Sequence, residues 1–478
     1  MRLSTLALGA LAACTVGCVN PPKYDPPKPP MPAQWRVEEP FRVAAPRDGT
    51  PKGAWWEGFG DPTLDELARR ALSGSPTLAA SSARLAQARA TFTSVSGQQW
   101  PQVSAVARDT RTRITQNRPL NNYSAPNFST VQTDMVFAAQ ASYEVDFAGR
   151  VSSLVASAKA SADQAAADLE TARLLMVADL ATAYFNLRQT DIELDVLLSS
   201  IELQRRSLGL AQTRNELGAG SALDVAQQQA LIDTTLTQVD ILRRSRALFE
   251  HAIASLVGTP APTFSLAAEK RDLRAPDVPI GVPSDVLERR PDVAAAERAM
   301  AVANAQVGVA NAAFYPSINL GLTYGQESRH SNTLLDVPSL VWSAGVSLAQ
   351  PIFDGGRIKG NYEAARAGYD VAVANYRRVV LTAMQEAEDG IIGLAALERA
   401  SNQANVAVES ARRTLELVNA RYEGGVASPL EVIVAQQALL NAERLASQLV
   451  GQRLLTSVFR VKALGGGWER GAKVSSSN

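Results

Sequence analysis

Beyond residue 18 the sequence has no cysteine, and only two histidines, His251 and His330, occur in its 478 residues. Disulfide staples, zinc ribbons and thiol nucleophiles are thereby excluded from the main body. Neither sign of charge is in excess: 47 lysines and arginines balance 47 aspartates and glutamates. Without a basic surplus there is no electrostatic case for nucleic acid as a partner. The phosphate-cradling G-x-x-x-x-G-K-[ST] loop, the G-x-S-x-G elbow and H-E-x-x-H are all missing. The carboxylates scatter along polar helix faces as solvated charges do, so the reading is not an enzyme and calls for no metal or cofactor. Hydrophobic runs long enough for a membrane helix are missing as well. What remains is a chain of ordinary composition, 46% hydrophobic, that is longer than one compact domain usually holds.

The first residues, MRLSTLALGALAACTVGCVNPP, combine one arginine, a short apolar run and small residues, the form of a secretory signal. Small residues before cysteine also resemble the lipobox of bacterial lipoproteins, in which the sulfur receives a diacylglycerol and becomes the new N-terminus. Val16-Gly17-Cys18 gives the more usual signal length and abuts a proline-rich stretch, so Cys18 is the expected lipid-attachment residue. Leu11-Ala12-Ala13-Cys14 matches the box better locally and makes Cys14 the second choice. An ordinary signal peptide with incidental cysteines is the remaining alternative. The stretch VNPPKYDPPKPPMP reads as a semi-rigid extended tether.

The rest of the chain is duplicated. RNELGAGSALDV (214–225) returns as RYEGGVASPLEV (421–432), with six of twelve positions identical at an offset of 207. Gly149-Arg150 and Gly356-Arg357 keep the same offset, as do Gln229 and Gln436. Upstream, Leu72, Pro76 and Pro101 match Leu287, Pro291 and Pro316 at an offset of 215. Both copies thus run helix, proline, two extended segments, Gly-Arg, long helix, glycine turn, helix. In the first long segment, Met176, Leu180, Ala183, Leu187, Thr190, Leu194, Leu197 and Ile201 follow the 4-3-4-3 spacing of a coiled-coil seam. The second copy repeats it with smaller residues: Ala383, Ala387, Gly390, Leu394, Leu397, Ser401, Ala404 and Val408. A helix from Val151 to Glu216 would reach about 100 Å, more than a compact domain needs.

Four extended segments, about 101–114, 132–146, 316–325 and 340–350, alternate apolar residues with polar or small ones. Phe137, Ala139, Ala141, Tyr143 and Val145 share one face; Ile318, Leu320, Leu322 and Tyr324 another; Trp342, Ala344, Val346 and Leu348 a third. Val103, Ala105 and Ala107 are a weaker case. Alternation alone fits a soluble antiparallel sheet with one wet face better than a membrane barrel. The polar connections RPLNNYSAPNFS and QESRHSNT shift the balance toward a barrel. Four strands cannot close one, and open edges are not tolerated in lipid, so several chains would each have to donate four strands.

These features together resemble the TolC/NodT-type outer-membrane factors. The resemblance rests on the lipobox and tether, WWEGFGDPTLDEL (55–67), VPSDVLERRPDVAAAE (282–297), the doubled glycine turn and ALGGGW (463–468), and it covers nearly all of the mature chain. It implies a mainly α fold with a membrane β part, a TolC-like homotrimer whose 12-stranded barrel stands on a long helical barrel girdled by an equatorial domain. It implies an outer-membrane channel of a tripartite efflux system, lipid-anchored and extending into the periplasm of a Gram-negative bacterium. The partners would be a periplasmic adaptor, an inner-membrane pump of the RND class and outer-membrane lipid. The expected division is a signal peptide (1–17), a lipidated tether and equatorial segment (18–64), a first repeat (65–254), an equatorial linker (255–284), a second repeat (285–460) and a C-terminal equatorial segment (461–478). A periplasmic adaptor or scaffold lipoprotein is the competing class, but that would carry one central hairpin flanked by small β domains, not two equivalent ones.

The doubled turn then supplies two helix–turn–helix tips per chain. Gly218, Gly220, Gly424 and Gly425 allow backbone conformations closed to residues with a Cβ. Ser221 and Ser428 are suited to cap the returning helices, with Asp224 and Glu431 in their first turns. By resemblance these tips dock the adaptor's helical tips, and they also narrow the periplasmic aperture. Leu430 matches an aperture leucine, and Arg421 and Tyr422 resemble residues that lock neighbouring helices shut. Where relatives often carry aspartate in an LDAQ-like run, this chain has Val434 in IVAQ, so no acidic ring is carried over.

Overall fold

A computed structural model of the chain describes residues 53–117, 129–269 and 289–466. Cys14, Cys18, the proline tether and the tail after Gly466 lie outside the described residues. The elements are α1 (Pro62–Gly74), α2 (Pro76–Ser96), β1 (Gln102–Ile114), β2 (Thr130–Val145), α3 (Arg150–Glu216), α4 (Ala222–Leu256), α5 (Pro291–Ala312), β3 (Ser317–Ser328), β4 (Leu340–Ala349), α6 (Arg357–Glu423) and α7 (Pro429–Ala463). The duplicated order read from the sequence is thus the order of elements, and the two long helices are each 67 residues. No described helix is long and apolar enough to cross a membrane. The chain divides into two compact units, and each draws on both repeats.

One unit comprises Leu85–Ala165 and Ala296–Tyr376. Its centre is an antiparallel sheet in the order β1-β2-β3-β4. The register places Val103 opposite Ala141, Ala141 opposite Leu322 and Leu322 opposite Ala344. Because side chains alternate with a period of two, this register collects the apolar halves of all four strands on one face. Gln140, Ser142, Asn319, Thr323, Ser343 and Ser347 gather on the other. The apolar face is bare: Val103, Trp342 and Val346 are 73%, 68% and 72% exposed. Where strands hand over to helices, Gly149 and Gly356 take φ of +73° and +90°. Asp146 accepts from the Val151 and Ser152 amides at 2.8 and 2.7 Å, and Asp354 from Gly356 and Ile358 at 3.0 and 2.8 Å. A carboxylate thus sits on the positive end of each long helix.

The other unit comprises the described residues before Leu85 together with Ala166–Ala295 and those from Arg377 onward. The first seam is buried here, Leu180, Leu187 and Leu197 completely so. Its core also holds Trp55, Trp56, Leu64, Tyr184, Phe185, Ile253, Leu454 and Val458. The WWEGFGDP motif therefore folds back on the middle of α3. Asp61 caps α1 through the Thr63 and Leu64 amides at 2.9 and 3.3 Å and accepts the Tyr184 hydroxyl at 2.6 Å. Burial, then the bond to Asp61, pushes the Tyr184 hydroxyl up to about 12. In the second seam small residues permit close approach: a Cβ on Gly390 would lie 3.2 Å from Arg460 Cβ.

The RRPD and GGG motifs meet. Buried Arg290 donates to Asp292 at 2.7 and 3.0 Å, to Glu386 at 2.7 Å and to the Ala463 carbonyl at 3.0 Å. Gly465, at φ +82°, leaves no room for a Cβ beside the Arg289 carbonyl carbon, 3.0 Å away. Arg290→Ala would take the ion pair from Asp292 and leave Glu386 with Lys462 alone at 3.9 Å, so we expect a loss of about 1–3 kcal/mol. Thermal unfolding of the detergent-purified protein checks this, and an unchanged melting temperature would refute the structural role.

Candidate functional site: the paired hairpin tips

Both glycine turns lie in the helical unit, and their backbones are built alike. In the first, Gly218 N donates to Asn215 O at 3.0 Å and Ala219 N to Arg214 O at 2.8 Å; in the second, Gly425 N donates to Tyr422 O at 3.0 Å and Val426 N to Arg421 O at 2.8 Å. These are Schellman closures with a left-handed glycine, φ +75° at both Gly218 and Gly425. The returning helices begin with matching capping boxes, Ser221 with Asp224 and Ser428 with Glu431. Glu431 is held below the usual glutamate value by the Ser428 amide first, then by the Ser428 hydroxyl and Arg421.

The four glycines have different reasons to be there. Only Gly218 and Gly425 use positive φ. Gly220 is needed for closeness, since a Cβ would sit 3.0 Å from Asn215 N. Gly424 needs neither: its φ is ordinary and a Cβ would make a normal 3.5 Å contact. The expectation that all four adopt conformations closed to a Cβ is corrected for Gly220 and Gly424.

The two tips touch through side chains that are not equivalent in the repeat. Arg214 donates to the Tyr422 carbonyl at 3.0 Å and to the Glu423 carbonyl at 3.4 Å. Its guanidinium carbon lies 4.2 Å from the Tyr422 ring centroid, a cation–π contact. Tyr422 is buried with Ala427 and Val432. Arg421, the repeat counterpart of Arg214, turns instead to Glu431 of its own hairpin at 3.7 Å and stays exposed. Arg214 is thus the residue that sequence reasoning missed, although its match to Arg421 was the available signal. Leu430 and Val434, one helical turn apart, are 55% and 60% exposed in the single chain.

Behind the tips runs a buried glutamine belt. Gln228 donates to Gln436 Oε1 at 3.1 Å and to Gln204 O at 3.2 Å, and Gln436 donates to Ser207 Oγ at 2.7 Å. Gln229, the repeat counterpart of Gln436, only bonds Asp233 on its own exposed helix face. Further along, buried Glu193 accepts from Arg444 at 2.7 and 2.9 Å, and Gln189 and Gln448 complete its shell. Among the described residues no cluster of metal-ligating side chains occurs. The arrangement is suited to packing against helices and to holding them in place.

Comparison with known proteins decides the family. The model of the family "Outer membrane efflux protein" matches residues 67–259 and 282–466. The chain belongs to that family. It is 30% identical over 439 residues to the pyoverdine export outer membrane protein OpmQ of Pseudomonas aeruginosa, covering 92% of this chain and 91% of that one. It is equally similar, over 469 residues and 96% of both chains, to the toluene efflux pump outer membrane protein TtgF of Pseudomonas putida. Among solved structures it matches the outer-membrane channel OprN with a TM-score of 0.86 at 27% identity, over 94% of this chain and all of that one. VceC of Vibrio cholerae matches with a TM-score of 0.80 at 26% identity, over 87% of this chain and 99% of that one. The fold is therefore that of the TolC-like channels. This efflux channel of the outer membrane is a transport conduit and not an enzyme.

Two outcomes are expected at the tips. Valine at Gly218 or Gly425 must adopt a left-handed conformation costing about 1–2 kcal/mol, so hydrogen exchange in the affected turn should rise while the sheet is unchanged. Unaltered exchange would contradict the closure described. Because the folded-state pKa of Glu431 is lowered, its contribution is present above the ordinary value of 4.5 and lost as pH falls through the lowered value. Protection of the second tip should drop in that acid window, and Glu431→Gln should abolish the pH dependence.

Proposed function

We propose that three copies of this chain form a continuous conduit, each donating its four strands to one 12-stranded outer-membrane barrel and its four long helices to a periplasmic barrel. The observation that carries this is the bare apolar sheet face combined with free edges on β1 and β4. Hydrocarbon accepts such a face and rejects such edges, so the edges must pair with other copies. Helix α6 supports the same reading. Leu381, Ile392, Val406 and Leu417 recur along it at 52–64% exposure, an apolar stripe that a neighbouring subunit's helices would cover.

Six tips would then surround the periplasmic aperture, with Leu430 and Val434 facing it. A periplasmic adaptor would dock its own helical tips on Gly218, Gly220, Ser221, Gly424, Gly425 and Ser428. An inner-membrane pump, of the RND class, would supply the energy. A lipid on Cys18 would anchor the tether in the same membrane. Relatives at nearly equal identity carry pyoverdine or toluene in their names, which supports a channel that exports what its pump delivers.

Gly425→Pro tests the docking. Proline fixes φ near −65° and removes the amide that closes the turn at 3.0 Å. Heat-resistant trimers should still appear in the outer membrane while export by the assembled system is lost. Normal export by this variant would remove the tips from the docking role. A mature protein that is monomeric and leaves the membrane on carbonate washing would sink the conduit itself.

A further inference from the structure

The lipid-side face of the sheet is apolar for most of its height and then changes character on one strand only. From Val145 to Phe137 the apolar face of β2 covers about 27 Å of strand, or roughly 21 Å of height at the usual tilt, close to the apolar band of a membrane barrel. The distal end of this band is aromatic. The register sets Tyr324 opposite Trp342 in the row that contains Ala105 and Ala139, and Phe137 stands in the next row opposite Ala107. Tyr and Trp at that height mark the membrane–water interface.

Beyond the belt, the same face of β1 continues as Asp109, Arg111 and Arg113, opposite Met135, Thr133 and Val131. The neighbouring strands offer only Gln326 and Ser328 there, so these three are the charged side chains of this face among the described residues. Arg108, by contrast, belongs to the opposite face, where Asp134 neutralises it at 2.9 Å. Arg111 has no ion-pair partner among the described residues, and Arg113 has only a 3.4 Å bond to Ser129 Oγ. Exposed arginines in the sheet interior would cost free energy in hydrocarbon, but near the interface that cost falls to about 0–1 kcal/mol. Arg111 lies four residues past Ala107, about 10 Å higher at the same tilt, which is the layer of head groups rather than of chains.

We propose that Arg111 and Arg113 form a binding site on each subunit for the phosphate groups of outer-leaflet glycolipid (lipopolysaccharide). Guanidinium matches phosphate with paired, charge-assisted hydrogen bonds, and each arginine on an anionic membrane surface adds attraction that falls off within a Debye length. Asp109 marks the inner limit of the site, since a carboxylate there discourages phosphates from the chain region. Three such sites would ring the barrel and hold its outer rim at a fixed depth. This inference rests on the barrel reading above.

The test uses the detergent-purified full-length trimer, titrated with purified lipopolysaccharide and with the same material after enzymatic removal of its phosphates. Wild type should bind the phosphorylated form and gain thermal stability, and the dephosphorylated form should do neither. Arg111→Gln/Arg113→Gln should bind roughly twenty-five-fold more weakly, about fivefold per arginine, while Arg111→Lys/Arg113→Lys should retain part of the affinity. Higher salt should weaken wild-type binding. Equal binding of both glycolipids, or of wild type and the glutamine variant, would overturn the site. Heat-resistant trimer on gels reports the barrel separately, so a trimeric glutamine variant with undiminished phosphate dependence refutes this inference alone.

Discussion

An unpaired strand edge in hydrocarbon is the constraint on which the rest of this molecule depends. Each orphaned N–H or C=O there costs several kcal/mol, and β1 and β4 each present a full row of them. Adding residues to the chain could close the sheet on itself; instead the duplication brings the described sheet to four strands. Strands, long helices and tips come in pairs with the same connections. Three chains would therefore place six similar units around one axis, and the edge problem would be solved by symmetry. The zero net charge and the missing catalytic motifs belong to the same logic, because such a body works by enclosing space.

The duplication is faithful in backbone and loose in side chains. Schellman closure, left-handed glycine and capping box recur at both tips with matching distances. Tyr422 has Asn215 as its counterpart, and Glu144, which grips Arg150 at 2.8 Å, has Pro351. Backbone devices are local, so a side chain at the left-handed glycine of either turn strains that turn directly. Side chains between units need not match, because neighbours within a chain and neighbours across chains are different environments. Arg214 on Tyr422 fastens the joint inside the chain, and in the proposed trimer the joint between chains would bring Arg421 toward Asn215 and so would need other chemistry. In such an assembly half of the tip-to-tip contacts would join neighbours within one chain and half would join different chains.

Local periodicity carried most of the fold into view. The 4-3-4-3 seam is buried as its spacing implies, and the apolar halves of four strands fall on one face because the register keeps them in step, where a slip of one residue would send a strand's apolar half to the other face. Partners across elements were not legible. Gln436 repeats Gln229, yet it bonds Gln228, since repeat equivalence compares positions in sequence while contact depends on which helix face meets which. Arg290 lies 96 residues from Glu386, and no spacing rule links them. Gly424 looked as necessary as Gly425 because glycine identity does not reveal φ. The lipid site on β1 escaped notice for a related reason: Arg111 and Arg113 blur the alternation that identifies the strand, and only the register shows them continuing its apolar face.

Long helices with alanine-rich seams face a difficulty that the buried polar groups resolve. Sliding one such helix by seven residues along another returns apolar or small residues to the seam at little cost, so the seam alone leaves the register degenerate. Ala383, Ala387 and Gly390 make this acute in the second repeat. Buried polar partners break the degeneracy, because a slip would bury their charges or amides unpaired. Glu193 with Arg444 ties α3 to α7, Arg290 with Glu386 fixes α6 near its middle, and the Gln228–Gln436 bond at 3.1 Å ties α4 to α7 just behind the tips. Such groups add little net stability over well-packed apolar ones. Their contribution is alignment, and alignment is what brings two tips from distant parts of the chain together, with Arg214 of one on Tyr422 of the other.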